Sequence, residues 1–83
     1  MMIVELIDGD DFRERLVALG IRIPEGACPE SSARLARRCA LERGVPGLAE
    51  SVAELVGELE GKREILLPSV RRALETHLLP LVR

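Results

Sequence analysis

Few side chains in this sequence could carry out catalytic chemistry. Its 83 residues contain two cysteines, Cys28 and Cys39, and one histidine, His77. A nucleophile needs a base within hydrogen-bonding reach, so the pair to consider is Cys39 with His77. Cys39 falls among the apolar positions of a helical pattern, and His77 lies on or beside another apolar stripe. A packed thiol and a partly exposed imidazole account for both, and we predict that the chain is not an enzyme.

Sequence motifs for cofactors and metals are also missing. The chain has no phosphate loop, no dinucleotide fingerprint, and no His or Cys pair at metal-ligand spacing. Cys28 and Cys39 are eleven positions apart without a second pair. This fits neither a zinc ribbon nor a disulfide framework, and it indicates idle thiols in a reducing cytoplasm. Ser51 and Ser69 lack the Asp-Ser-Leu context of carrier domains. We therefore predict no catalytic residue, no cofactor and no metal.

The composition predicts one helical domain over residues 1–83. A chain this short encloses one core, and 47% of its residues are hydrophobic, with one Phe and no Trp or Tyr. Leu, Val, Ile and Ala must then build the core, as in helix bundles. The net charge of −2 gives no overall attraction to nucleic acid or anionic membranes. No apolar run approaches the ~20 residues of a membrane span, so we expect a soluble, cytoplasmic protein.

The spacing of apolar residues predicts an all-α fold, a compact bundle of about five helices. The expected helices are a short stripe at Ile3, Leu6 and Ile7, a helix over 12–19 capped by Asp10 and closed by Gly20, and helices over 30–43, 46–60 and 66–81. Residues 21–29 should be extended, with Ile21 and Ile23 inward. The predicted core includes Leu16, Leu35, Cys39, Val52, Leu55, Leu59, Val70 and Leu74.

The ends of the last three helices are predicted from Gly and Pro. Gly44 should end the helix over 30–43, and Pro46 should begin the next, because Gly is common after a helix and Pro at its first turn. That helix should end at Gly61. Pro68 should lie in the first turn of the last helix, and Pro80 should fray its end.

A helix-turn-helix that reads DNA is a competing interpretation. Ala40 and Gly44 stand four apart, as the first helix and turn of that unit prefer. The following helix should then present basic and amide side chains, yet it carries Glu50, Glu54 and Glu58, which phosphates would repel. The chain also lacks the aromatic platforms on which single strands stack. We therefore expect no nucleic-acid partner and no membrane partner.

Opposite charges on two adjacent predicted helices suggest a protein partner. Four arginines and two glutamates lie between 30 and 43, whereas 46–60 holds four glutamates and no cation. The candidate partner-binding residues are Arg34, Arg37, Arg38, Glu50, Glu54 and Glu58. Either these are solvated helix faces, or the arginine face of one copy docks on the glutamate face of another, a head-to-tail contact. A contact through an apolar patch near Leu79 and Leu81 is the alternative.

The order of features from Phe12 to Leu74 resembles the effector-associated domain of type 2, a small helical adaptor module of bacterial conflict and immunity systems. The matching pieces are Arg13 to Leu19 as an R-x-x-L-V-x-L helix, Ile21-Arg22-Ile23-Pro24, Leu35 to Ala40 around Arg38-Cys39, Pro46-Gly47-Leu48, and Leu59-Glu60-Gly61. The chain departs from the family's Pro-Gly-Gly-Leu by lacking the second Gly after Pro46.

The resemblance implies a non-catalytic adaptor with a death-domain-like role in antiphage defence. Homotypic pairing of such modules brings together a sensor, often an NTPase, and an effector such as a protease. The partner would be another copy of the same or a related domain, with self-association as one form. This chain carries no sensor or effector domain, which is compatible with an excised module. The alternatives are a small DNA-binding regulator and a toxin-neutralising antitoxin.

Overall fold

Helices make up most of the chain in a computed structural model that describes residues 6–42 and 45–82. The first three helices are α1 (Gly9–Val17), α2 (Pro29–Glu42) and α3 (Leu48–Glu60), followed by a short 3-10 turn at Arg63–Ile65. The last helix consists of α4 (Pro68–Ala73), a π-helical turn (Leu74–Leu78) and α5 (Leu79–Val82). Counted as one helix, it brings the total in the described residues to four, and the all-α prediction is confirmed.

The segment expected to form the first of five helices is extended where it is described. Ile3 lies outside the described residues. Ile7 donates a backbone hydrogen bond to Ile65 (2.8 Å) and accepts one from Leu67 (3.1 Å), which makes an isolated parallel bridge outside any strand of residues 6–42 and 45–82. This pairing buries Ile7 and leaves Leu6 exposed, so the predicted stripe does not form. It also fixes the start of the described chain beside the link that leads into α4.

α1 is capped two residues earlier than the sequence suggested, and it ends at Val17, before the predicted Gly20. Its N-cap is Asp8, whose carboxylate accepts from the N–H of Asp11 at 2.9 Å, and the predicted cap Asp10 lies inside the helix. Gly9 lies beside the start of α2, because an added Cβ there would come within 3.1 Å of Pro29 Cγ. Asp8 thus caps α1, and the missing side chain of Gly9 lets α1 approach Pro29 at the start of α2. Beyond α1, Ile21 and Ile23 are both buried, as predicted for the extended link.

α2 is the central helix and packs with its smallest side chains. It contacts α1, α3, α4 and the π turn, and its buried residues are Ser32, Ala33, Ala36 and Ala40. The predicted core positions Leu35 and Cys39 are only partly buried, at the edge of the core. The apolar spacing of this helix predicts that Leu35, Ala36, Cys39 and Ala40 share its inward face. Ala36 and Ala40 are buried as predicted, but the buried face turns away from Leu35 and Cys39 toward Ser32 and Ala33. Small side chains let several helices approach α2 closely, which Leu35 at the centre of the contact would prevent.

α3 matches the predicted apolar stripe but begins later. Its buried residues are Leu48, Val52, Leu55, Val56 and Leu59, and Gly61 is its C-cap, as expected. The N-cap is Gly47 with φ of 78°, a left-handed conformation that suits glycine, so Pro46 lies in the preceding turn rather than in the helix. The predicted helix end at Arg43 and Gly44 lies outside the described residues.

A π-helical turn in the last helix precedes Pro80. Pro68 is the first residue of α4, as predicted. Pro80, expected to fray the end, instead lies within α5, and the N–H of Leu79 bonds to the carbonyl of Leu74, five residues back. Proline has no N–H and its ring clashes with the carbonyl four residues earlier. The wider π turn accommodates it and keeps the buried Leu78 in the core.

The described core is one hydrophobic cluster shared by all the helices. Of the predicted core residues, Leu16, Val52, Leu55, Leu59, Val70 and Leu74 are buried, together with the single Phe12. Ser32 is the one buried polar residue, and its hydroxyl has no hydrogen-bond partner in the described part of the chain. No helix within these residues has the length and hydropathy needed to cross a bilayer.

Candidate functional site

His77 faces the start of α2 rather than Cys39. The imidazole is 13% exposed, and its Nε2 lies 3.7 Å from Glu30 Oε1. Cys39 packs at the edge of the core, and no hydrogen bond joins it to His77. The cleft that His77 lines also contains Cys28, Glu30 and Arg72. The histidine and a cysteine therefore do share a cleft, but the cysteine is Cys28 and not the Cys39 that the sequence offered as its partner.

Cys28 lies at the start of α2 with its sulfur in a polar setting. The N–H of Ser31 donates to Cys28 Sγ at 3.4 Å, and Ser31 Oγ lies 3.2 Å from the same sulfur. Hydrogen bonding from the Ser31 hydroxyl, and next from its N–H, lowers the pKa of the Cys28 thiol below its ordinary value. The adjoining cleft has a volume of about 540 Å³. Cys28 is thus an accessible thiol whose ionised form is favoured.

We expect Ser31→Ala to slow alkylation of Cys28 by iodoacetamide at neutral pH and to move the rate profile to higher pH. A lowered pKa means that the thiolate is populated at lower pH, and removing the hydroxyl raises the pKa. Mass spectrometry of each cysteine against pH measures the shift, with Ser51→Ala on α3 as the matched control. Identical Cys28 profiles for Ser31→Ala and the parent chain would contradict the hydrogen-bond assignment.

The described residues hold no group of three or more His, Cys, Asp or Glu arranged to bind a metal ion. Cys28, Glu30 and His77 share the cleft but do not form such a group. Glu30 also has a partner outside this set, since its carboxylate lies 3.1 Å from Arg34 as well as 3.7 Å from His77. The absence of a cofactor and of enzymatic activity stays a prediction.

The three predicted arginines lie on the outward face of α2 and are exposed. Arg34 pairs with Glu30 at 3.1 Å, and Arg38 pairs with Glu42 at 3.3 Å, both one helical turn apart. Arg37 has no ion pair with any described residue. We call Arg34, Arg37 and Arg38 the basic face. Its two paired arginines are largely solvent-exposed, so these intrahelical contacts are weak.

The three predicted glutamates lie exposed on the outward face of α3, and one of them is already engaged. Glu58 pairs with Arg15 of α1 and with Lys62, each at 3.3 Å. Glu50 and Glu54 have no ion pair in the described part of the chain. We call Glu50 and Glu54 the acidic face. The structure thus separates Glu58, which ties α3 to α1, from two carboxylates that remain available.

An exposed leucine on α2 was missed by the sequence reasoning. Leu41 is 60% exposed, the most exposed large apolar side chain among the described residues. It lies four residues after Arg37 and three after Arg38, which places it on the basic face by helical spacing. That spacing is the signal by which the sequence could have shown it. Leu79 and Leu81, the predicted apolar alternative, are instead partly buried against the core.

Comparison with known proteins assigns neither a family nor a function to this chain. No family model matches this sequence, and neither the curated proteins nor the solved structures give a significant match. The functional interpretation therefore depends on the surface of the molecule itself.

Proposed function

We propose that this chain is a non-catalytic adaptor that binds a copy of the same or a related domain through opposite charges on two helices. The observation that carries the proposal is the pair of available faces. Arg37 on α2 and both Glu50 and Glu54 on α3 are exposed and have no ion pair with a described residue. One copy can present the basic face and the next the acidic face. Their potentials are complementary.

The energetics favour a contact built from several charges. An exposed ion pair contributes only about 0–1 kcal/mol, so one pair cannot hold two domains together. Arg34 and Arg38 can exchange their exposed intrahelical partners for glutamates of another copy at little cost. Such a contact sets specificity and association rate more than tightness, and it weakens as salt screens charges beyond about 8 Å at physiological ionic strength.

The resemblance to the effector-associated domain of type 2 supports the same function and suggests its setting. Modules of that type pair between a sensor, often an NTPase, and an effector such as a protease. On this basis the partner is a related domain on a sensor or effector protein in bacterial defence, in the cytoplasm. The exposed carboxylates of Glu50 and Glu54 on α3 disfavour the DNA-binding alternative, since they would face phosphates.

We expect Arg37→Glu with Arg38→Glu to abolish association, and Glu50→Arg with Glu54→Arg on the second copy to restore part of it. The reason is that each swap replaces attraction by repulsion, and the two together bring opposite charges back into contact. Sedimentation velocity at low and physiological salt, with one copy labelled, measures the association. The partner is the same chain or the sensor or effector domain coded beside it.

The matched control reverses the charge of two arginines that lie outside both faces. Arg22 and Arg72 are exposed, have no ion pair with a described residue and lie outside both faces, so Arg22→Glu with Arg72→Glu should leave association intact. Normal binding by the Arg37 and Arg38 variant at low salt would place the contact elsewhere. Equal losses in both double variants would mean that net charge, rather than these faces, governs association.

A further inference from the structure

Leu41 gives the basic face an apolar centre. Residues 34, 37, 38 and 41 fall on one side of α2 by helical spacing, and Leu41 lies between the rows of Arg37 and Arg38. Its side chain is 60% exposed in the single chain. Long arginine stems on either side extend this apolar surface while their guanidinium groups stay in water. The basic face is therefore a leucine flanked by positive charges.

Gly57 continues the acidic face with a position that has no side chain. It is exposed in the last turn of α3, three residues after Glu54 and seven after Glu50, so all three lie on one side of the helix. A Cβ added at Gly57 would meet no atom within 4 Å. Ala53, one turn earlier, is also small. The two carboxylates of the acidic face thus lie next to a low area formed by Ala53 and Gly57.

We propose that a second copy of this chain docks by placing its Leu41 on Gly57 and Ala53, with Arg37 and Arg38 meeting Glu50 and Glu54. This inference rests on the proposed function and adds the uncharged contact at its centre. The two surfaces are complementary in charge and in shape. On one copy a projecting leucine lies beside cations, and on the other a glycine without a side chain lies beside anions. The lack of a side chain at Gly57 lets the two helix backbones approach closely, as small residues do at helix contacts.

The proposed contact joins different surfaces of the two copies. Each copy keeps an unused basic face at one end of the pair and an unused acidic face at the other. Such a heterologous contact closes into a ring or continues as an open chain, according to the rotation between copies. Association should therefore continue beyond the dimer.

The test removes the leucine or fills the space at Gly57, using Leu41→Gln and Gly57→Gln. Each should weaken self-association about 10- to 100-fold, the value of burying one leucine side chain. Gly57→Gln should also raise the melting temperature, because glycine is a poor residue inside a helix and nothing obstructs the new side chain. Opposite effects on stability and association separate a blocked contact from a damaged fold. Val17→Gln, at another exposed apolar residue, is the matched control.

Mixing the two variants tests the direction of the contact. Leu41→Gln keeps an intact acidic face and Gly57→Gln an intact basic face. At a concentration where the parent chain assembles and each variant alone is mainly monomeric, the mixture should therefore form 1:1 dimers that grow no further. If Arg37 and Arg38 are needed but neither glutamine variant weakens association, this inference is overturned while the proposed function stands. If neither charge nor glutamine variants weaken it, both are overturned. An unmodified chain that stays monomeric at about 1 mM overturns the second copy as occupant and leaves only a different domain as partner.

Discussion

Phe12→Ala is expected to remove about 3–5 kcal/mol of unfolding free energy, a large fraction of the total stability of a domain of this size. Phe12 is the only aromatic side chain in the sequence, and its relative exposure is 0%. It lies on α1, which packs against α2, so its loss leaves a cavity in the core where no other aromatic ring can compensate. Urea unfolding followed by circular dichroism measures the change as a lower midpoint.

The matched control for Phe12 is Val17→Ala on the same helix. Val17 is 41% exposed, so its truncation should lower stability by well under 1 kcal/mol. Comparable losses for the two variants would mean that α1 is held mainly by something other than the burial of Phe12. A changed urea dependence for Phe12→Ala would indicate a loosened native state instead of a simple loss of stability.

Ala36→Leu is expected to lower stability by about 1–3 kcal/mol even though it adds apolar surface. Ala36 has no exposed surface, and α2 contacts α1, α3, α4 and the π turn. Three added carbons would have to push neighbouring helices apart, because a core packed at crystal density has no spare volume. The melting temperature should fall by about 4–8 °C for each kcal/mol.

Two substitutions on α2 separate overpacking from other effects. Ser32 is fully buried and its hydroxyl has no hydrogen-bond partner among the described residues, so Ser32→Ala should be neutral or stabilising. Leu35→Ala, at the partly buried edge of the core, should cost less than a fully buried leucine would. A stabilised Ala36→Leu variant, or a large loss at Ser32→Ala, would contradict the small-residue packing of α2.

The periodicity of apolar residues predicted the buried face of a helix best where large apolar side chains lie on one side only. All five stripe residues of α3 are buried, since Leu and Val recur on one side and Glu on the other. The stripe of α2 was harder to place, because Ala, Cys and Ser can lie inside or outside. Hydropathy ranks Leu35 above Ala33, yet Ala33 is buried and Leu35 is not. The spacing needed by four neighbouring elements, which hydropathy does not encode, determined the face.

For the candidate interaction surfaces, the sequence predicted which charged residues are exposed but not which of them already have ion-pair partners. Helical spacing alone put Arg34, Arg37 and Arg38 outward on one helix and the glutamates outward on the next, and all six side chains are exposed. Which charges remain available could not be read from spacing. Glu58 meets Arg15, 43 residues away in the chain, and this long-range pair exists only because α1 and α3 come together in the fold.

By itself, the sequence determined the helical class, the burial of the α3 stripe and the outward position of both charged faces, because these follow from side-chain chemistry at fixed local spacing. Only the tertiary structure decided the inward face of α2, the bridge that holds Ile7 to Leu66, and the cleft shared by Cys28 and His77. Each of these depends on contacts between residues far apart in the chain. Such contacts are set by how the whole core packs, which no local pattern specifies.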